Sequence, residues 1–384
     1  MRIALFSEVY WPMVSGVGVT LRNLTGALES RGHDVRIYTA TYRAPDGTPV
    51  PPRVHQSPSV PLFLYPDVQW AFPRHRELVD DLARFAPDVT HLATEWAMGL
   101  AGLKASRQLG IPLVASAHTD YEKYASRYGV EWAWRMGWTY LKWFYGKTSR
   151  VLCPSRVFEQ HLRSRGVKHT GIWTRGIDTE AFNPRHRSAG YRELFGVGPD
   201  DLLVTYVGRL AAEKDLTILL DAWAGLGARR GNAQLVLVGQ GPMVGEIHSR
   251  KLPGVHLTGL LRGQDLSEAY ASSDIFTFPS TTETFGNVAL EAMASGLAPV
   301  VAAAGGMLDF CHDERNALMV RPGSTTHFAE QLARVLNEPE LRQRLSAGAL
   351  ETAKGRRWDA IWDGVTQVYE EAAAGTGGAL VQAA

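Results

Sequence analysis

Two carboxylates and two cations mark out the chemistry of this chain. Glu283 and Glu291 stand eight positions apart in Glu283-Thr-Phe-Gly-Asn-Val-Ala-Leu-Glu291, directly after the apolar run Ile275-Phe-Thr-Phe-Pro-Ser280. That pattern predicts a strand, a loop carrying Glu283 and a helix with Glu291 two turns in. The amides of Thr284, Phe285, Gly286, Asn287 and Val288 open this helix. Donors there lack partners within the helix and the dipole is positive, so an anion is favoured. Acids at the rim with amides between them suit a ligand that is part sugar, part phosphate. Upstream, Val207-Gly-Arg209-Leu-Ala-Ala-Glu-Lys214 puts a guanidinium and an ammonium at another strand end. Such a pair can clamp a diphosphate, the arginine bidentately. Alone, Gly-Arg and a lysine describe a solvated turn; the glutamates in the same half of the chain are what make them a site. No Asp-x-Asp triplet occurs, so the two cations are expected to meet the diphosphate without a metal, and no other cofactor is expected.

Two features in the first half are more ambiguous. In Tyr10-Trp-Pro-Met-Val-Ser-Gly16-Val-Gly18 the glycines let the backbone approach a ligand and open a helix toward it, although a lone Gly-x-Gly also describes an ordinary turn. His118, in Ala-Ser-Ala-His118-Thr-Asp120, directly follows an apolar run. A parallel strand's C-terminal end is where such folds carry function, yet a capping or core histidine fits equally. No G-x-G-x-x-G follows a strand with an acidic residue about 20 positions on, which disfavours a dinucleotide enzyme.

The elements that must position these residues are short apolar strands alternating with amphipathic helices, the signature of parallel sheets flanked by helices. Strands are expected at 2–6, 34–38, 89–92, 112–116 and 150–153, then afresh at 202–207, 233–238, 255–257, 275–278 and 298–302. Both halves open with strand, glycine-bearing loop and helix. Two doubly wound domains facing each other, with the ligand at the strand ends in the cleft between them, is the economical reading. The expected division is residues 1–183, a linker at 184–200, a second domain at 201–356, and a final helix with a frayed tail at 357–384.

A length of 384 residues suits two domains. A formal net charge of +1 argues against a dedicated nucleic-acid binder. Cys153 and Cys311 are the only cysteines, so a disulfide framework is not expected. The opening Met-Arg-Ile-Ala-Leu-Phe-Ser turns polar too early for a signal peptide, and no run of 18 apolar residues exists; a cytoplasmic protein is expected.

Residues 121–150 are the most aromatic stretch, with Tyr121, Tyr124, Tyr128, Trp132, Trp134, Trp138, Tyr140, Trp143, Phe144 and Tyr145 interleaved with Lys123, Arg127, Arg135, Lys142, Lys147 and Arg150. On a helix Trp134, Trp138, Leu141 and Tyr145 form one stripe, while Trp132, Met136 and Trp143 lie nearly opposite. One stripe must face the core. The other either packs under a loop or meets a membrane surface, where tryptophan and basic side chains are favoured. The run Trp70-Ala-Phe-Pro-Arg-His-Arg76 reads as a further exposed patch.

With these residues in place the chain resembles the retaining glycosyltransferases of the GT-B fold, specifically glycosyltransferase family 4, to about residue 372. The resemblance rests on Ser15-Gly16-Val17, His118-Thr119, Arg175-Gly-Ile-Asp178, Gly208-Arg209…Glu213-Lys214 and Glu283…Glu291 followed by Ala292-Met-Ala-Ser-Gly296. Within the family it is most similar to GDP-mannose-dependent α-mannosyltransferases; Thr258-Gly-Leu-Leu…Leu266-Ser-Glu-Ala-Tyr-Ala-Ser272 is also similar to sulfoquinovosyldiacylglycerol synthases, which use a UDP-sugar. Both groups glycosylate lipids.

The resemblance implies that Arg209 and Lys214 hold the donor's diphosphate, that Glu291 accepts from the ribose diol, and that Glu283 accepts from sugar hydroxyls. It implies that the amides of Phe285, Gly286 and Asn287 meet the sugar or its phosphate, and that Gly16 closes over the phosphate. His118 would contact the sugar near the reacting centre, and backbone around Leu260 and Leu261 would read the base. A final helix packing back on the N-terminal domain is implied too. One departure stands out: Arg262 and Gly263 follow Leu261 where a guanine reader calls for an acid, and Asp265 comes only later.

The expected activity is hexosyl transfer, α-mannosyl from GDP-mannose, to a lipid-linked acceptor, with peripheral membrane contact through residues 121–150 at the inner face of the cell membrane. A UDP-sugar-dependent glycolipid synthase is the near alternative. A sugar-nucleotide epimerase and a non-catalytic sugar-nucleotide-binding subunit are the distant ones, the latter disfavoured by the intact set of Glu283, Glu291, Arg209 and Lys214.

Overall fold

The computed structural model describes residues 1–13, 15–43, 47–62, 65–122 and 131–375, without the side chains of 65–67, 131–135 and 360. The tail from 376 onward lies outside the described residues, as do Lys123, Tyr124, Arg127 and Tyr128 and the side chains of Trp132, Trp134 and Arg135.

The chain forms two units, each around its own parallel sheet. The first comprises 1–119, the described residues of 129–174, and the C-terminal helix from Asp359; the second runs over 175–358 and takes in Asp120. The first unit's strands are β1 (Arg2–Ser7), β2 (Asp34–Ala40), β3 (Val54–Ser57), β6 (Val89–Leu92), β7 (Leu113–Ser116), β8 (Arg150–Cys153) and β9 (Thr170–Ile172), with β4 (Ser59–Leu62) and β5 (Tyr65–Ala71) as a separate antiparallel pair. The seven-stranded order is β3-β2-β1-β6-β7-β8-β9. In the second unit β10 (Leu203–Val207), β11 (Gln234–Val238), β12 (Val255–Gly259), β13 (Ile275–Phe278), β14 (Ala298–Ala302) and β15 (Leu318–Val320) make a sheet of order β12-β11-β10-β13-β14-β15. All pairings in both large sheets are parallel.

Helices cover both faces of such sheets, so central strands read as unbroken apolar runs rather than alternating ones. Ile3, Ala4, Leu5 and Phe6 of β1 and Leu203 and Val204 of β10 are wholly buried. In the second sheet the strand order reverses between β10 and β13, and a doubly wound sheet opens a crevice at the carboxyl ends of such strands. The Arg209–Lys214 segment follows one of these strands and the glutamate segment follows the other.

The C-terminal helix Trp358–Ala373 packs on the first unit, as expected. Trp362, Val365, Tyr369 and Ala372 form its buried stripe at helical spacing.

The expected linker is different. Residues 184–200 contain a single helical turn, Pro184–His186, and the helix Ala189–Glu193, both built into the second unit. Arg192 is buried there. It donates to the carbonyls of Ser272 (2.9 Å), Gly198 (3.0 Å) and Asp201 (2.7 Å) and to Asp274 Oδ2 (2.9 Å). Proline, glycine and charge give this stretch a linker's composition, but the satisfied guanidinium makes it structural. The chain instead passes between the units at 174/175 and 358/359, besides the change of unit at 119/120. Beside the crossings at 174/175 and 358/359 the Ile177 amide bonds to the Arg356 carbonyl at 3.0 Å.

Candidate active site

β13 ends at Phe278 and the chain turns through Ser280 to Glu283. Ser280 Oγ donates to Glu283 Oε1 at 2.9 Å, and Lys214 Nζ donates to the same oxygen at 2.5 Å. Both charged side chains are mostly buried, 16% and 17% exposed. The sequence-predicted cation and acid are therefore a single shielded pair. Around it, Asp215 Oδ2 accepts from the Thr281 hydroxyl (2.7 Å) and amide (3.2 Å), and Thr282 Oγ1 donates to the Glu213 carbonyl at 3.1 Å. These bonds tie the loop after β10 to the loop after β13. Arg209 stands at the rim, a third exposed, with Glu213 Oε1 3.8 Å away. Tyr206 Oη holds the Arg209 carbonyl at 3.0 Å.

The helix Asn287–Ala294 starts immediately beyond. Gly286 takes φ +103°, a left-handed conformation that suits glycine, and turns the chain sharply into the helix. The amides of Asn287 and Val288 begin the ladder without acceptors of their own within it. Phe285 turns its ring inward against Phe310 (centroids 5.1 Å apart), so only its backbone faces the loop. The loop is backed by Gly305 and Gly306, whose Cα atoms press against it. A Cβ on Gly305 would lie 2.2 Å from the Glu283 carbonyl oxygen, and the Gly306 amide donates to that oxygen at 2.9 Å.

Glu291 is the fifth residue of this helix, about one turn in rather than the two expected because the helix opens at Asn287, and it is not joined to Glu283. Its Oε2 accepts from the Tyr270 hydroxyl at 2.9 Å. Burial pushes its carboxyl up to about 7, with the Tyr270 hydrogen bond pulling the other way. Leu260 and Leu261 follow β12, the edge strand two places from β10; Leu260 is 44% exposed.

In the first unit Ser15 Oγ caps the helix Gly16–Ser30 by accepting from the Gly18 amide at 3.0 Å, and a Cβ on Gly16 would meet nothing within 4 Å. His118 lies two residues past β7, where its Nε2 meets Ser116 Oγ at 2.7 Å and its ring stands edge-on to Trp173. Among the described residues 131–150, Leu141, Phe144 and Tyr145 are buried while Met136 and Trp143 are exposed. The two stripes thus face opposite ways, as the spacing predicts.

The supporting residues Tyr270, Ser280 and the Asp215–Thr281 pair had no local signal. Gly305-Gly306 did have one, a glycine pair directly after an apolar run.

Comparison with known proteins gives the family and the fold. Residues 14–181 match the pattern described as Glycosyltransferase Family 4, and residues 201–338 that of Glycosyl transferases group 1. A GDP-mannose-dependent α-mannosyltransferase of Mycobacterium tuberculosis is 33% identical over 96% of this chain and 96% of its own. A sulfoquinovosyl transferase of Arabidopsis thaliana is 31% identical over 94% of this chain and 71% of its own. The chain belongs to glycosyltransferase family 4. Its fold is GT-B: sucrose-phosphate synthase from Thermosynechococcus elongatus superposes with a TM-score of 0.78 at 22% identity, covering 97% of this chain and 99% of that one. HepE from Anabaena, solved in complex with UDP-glucose, gives 0.76 at 20% identity over 97% and 100%.

Proposed function

We propose that this chain transfers an α-mannosyl unit from GDP-mannose to a lipid-linked hydroxyl, with retention at the anomeric carbon and without a metal ion. The observation that carries the donor reading is the shielded Lys214–Glu283 pair beside the helix Asn287–Ala294, at the point where the second sheet reverses its strand order. As the diphosphate leaves, negative charge gathers on the bridging oxygen. Lys214, Arg209 and the helix amides stabilise that charge, while Glu283 accepts from the sugar's hydroxyls and keeps the ammonium in position. Preorganised donors aimed at developing charge supply the largest share of such a rate enhancement. Glu291 accepts from the ribose diol, Leu260 and Leu261 line the base, and His118 contacts the transferred sugar. The Gly16–Gly18 helix start, in the first unit, receives phosphate.

A UDP-sugar donor is the second reading, favoured by Arg262 standing where a guanine reader calls for an acid. Similarity to an α-monoglucosyldiacylglycerol synthase of Streptococcus pneumoniae, 30% identical over 79% of this chain and 71% of its own, supports a glycolipid product under either donor. For the acceptor, exposed Met136 and Trp143, with Lys104 and Arg107 lining a groove beside Trp143, suit contact with an anionic bilayer. Among the described residues no helix is long and apolar enough to cross a membrane.

Thermal-shift titration against GDP, UDP and ADP tests the donor. A nucleotide at 100 times its dissociation constant stabilises by about 2.7 kcal/mol, and stabilisation by UDP alone would overturn the GDP-mannose assignment. Proton NMR of the new linkage tests retention, a β product from an α donor being the refuting result. Turnover that disappears in EDTA would overturn metal independence.

A further inference from the structure

Behind His118 runs a buried line of hydrogen bonds. His118 Nε2 meets Ser116 Oγ at 2.7 Å, Ser116 Oγ meets His91 Nε2 at 2.8 Å, and His91 Nδ1 meets the Tyr369 hydroxyl at 2.6 Å. Four residues from β6, β7, the segment after β7 and the C-terminal helix thus form one chain inside the first unit. His91, Ser116 and Tyr369 are fully buried, and Trp173 lies edge-on to both imidazoles, with ring centroids 5.8 Å from His91 and 5.5 Å from His118.

We infer that Tyr369 and His91 are positioning residues that fix the tautomer of His118, so that it accepts at Nε2 and carries its proton on Nδ1. The reasoning is one of proton counting. Burial holds His91 neutral, its value pushed down to about 3, so it has one N–H and one acceptor nitrogen. Ser116 has one proton for two imidazole partners and must donate to one while accepting from the other. Only two polarities satisfy every link.

In the first, Tyr369 donates to His91 Nδ1, His91 Nε2–H donates to Ser116, and Ser116 donates to His118 Nε2. In the second every arrow reverses, and Tyr369 must accept from His91. Its own hydroxyl proton then needs another acceptor, and among the described residues the Tyr369 side chain, with no exposed surface, has only His91 as a hydrogen-bond partner. A buried hydroxyl proton without an acceptor is costly enough to select the first polarity by on the order of ten- to a hundredfold. The wire therefore overrides the preference of a free neutral imidazole for the Nε2–H form.

This deepens the proposed function and rests on it in one respect, the contact between His118 and the transferred sugar. On that reading the fixed tautomer carries its N–H at Nδ1, on a ring aimed by a line of hydrogen bonds whose far end is anchored in the C-terminal helix. The physical parallel is the second partner of a catalytic or metal-bound histidine, which sets which nitrogen bears the proton.

Long-range proton–nitrogen NMR of the full chain labelled with 15N-histidine tests the wire directly, with the His118 signals identified by their loss in His118→Asn. Wild-type protein is expected to show His118 with Nδ1 protonated and Nε2 unprotonated. Tyr369→Phe, which removes one buried oxygen, and Ser116→Ala, which cuts the line, are each expected to move His118 toward the Nε2–H form. An unchanged tautomer in both variants overturns the inference.

Kinetics give the second readout: in Tyr369→Phe kcat falls roughly tenfold while the donor KM stays within about twofold. Unchanged kcat there overturns the positioning role. Full turnover by His118→Asn would instead remove the sugar contact from the proposed function, and the NMR result would still judge the wire by itself.

Discussion

Replacing Glu291 with glutamine separates this residue's charge from its shape. The carboxyl is raised from 4.5 to about 7 by burial, against the pull of the Tyr270 hydroxyl. At about 1.36 kcal/mol per tenfold change in protonation, the difference favours the neutral acid in the folded protein by about 3 kcal/mol. Because the folded value lies above the unfolded one, the stabilisation is complete below about pH 4.5 and is lost as pH rises through about 7. Glu291→Gln has nothing to titrate there. Urea unfolding of the ligand-free protein should therefore show wild type losing up to about 3 kcal/mol relative to Glu291→Gln between pH 5 and pH 8. Parallel pH profiles for the two proteins would refute the assignment of the raised carboxyl.

With the proposed ribose contact, the same value makes donor binding proton-linked, because hydroxyls donating to Glu291 would favour its ionised form. At pH 6 about nine-tenths of a group titrating near 7 is protonated. Binding of a nucleotide sugar there should release close to one proton, falling to about a tenth of a proton at pH 8. Titration calorimetry in buffers of different ionisation enthalpy reads the number directly. The nucleotide sugar is preferable to a free nucleoside diphosphate, whose terminal phosphate titrates in the same range. Heats at pH 6 that do not depend on the buffer would sink the linkage between Glu291 and the ribose.

Other perturbations probe the Lys214–Glu283 pair, the glycine behind it and the buried Arg192. Lys214→Ala and Glu283→Ala should each lower kcat by at least about a hundredfold with an unchanged circular dichroism spectrum; near-normal rates in both would end the donor-site assignment. Gly305→Ala puts a Cβ 2.2 Å from the Glu283 carbonyl oxygen at φ +62°. It should cost about 1–3 kcal/mol in urea unfolding and weaken donor binding, and no change in either would remove the backing role given to this glycine. Arg192→Ala strips a buried guanidinium from Asp274 and three carbonyls. A loss of about 3–5 kcal/mol in the second unit is expected, and wild-type stability would return residues 184–200 to the status of a linker.

Much of the fold was legible because parallel strands buried on both faces advertise themselves as apolar runs; β1, β6, β10, β13 and β14 lie within a residue or so of where those runs place them. The failures have identifiable causes. The pair β4 and β5 carries polar residues and two prolines, Pro61 and Pro66, so neither period stands out. Trp70 of β5 and Phe72 just beyond it are exposed, as expected of an exposed patch at 70–76, but the strand itself has no signature in the sequence. At 184–200 composition misled: Arg192 looks like a solvated charge until Asp274, 82 residues away, is folded against it.

Sequence separation divides the candidate site in the same manner. Glu283, the amides after it and Glu291 lie within nine residues on one strand, loop and helix, so their geometry follows from local periodicity. Lys214 comes 69 residues earlier than Glu283, and it was still found because β10 and β13 each announce a strand end and a doubly wound sheet brings such ends together. The partners that tune these groups lack that advantage. Tyr270 reaches Glu291 from a helix of its own, and Tyr369 reaches His91 across 278 residues. A tyrosine in a helical stripe reads simply as core, and burial is what Tyr369 shares with Trp362 and Val365. What distinguishes it is the hydroxyl, whose single proton has a single acceptor among the described residues. Such a constraint exists only once the C-terminal helix has returned to the first unit, which is why the direction of the line from Tyr369 through His91 and Ser116 to His118 follows from the fold and not from local sequence.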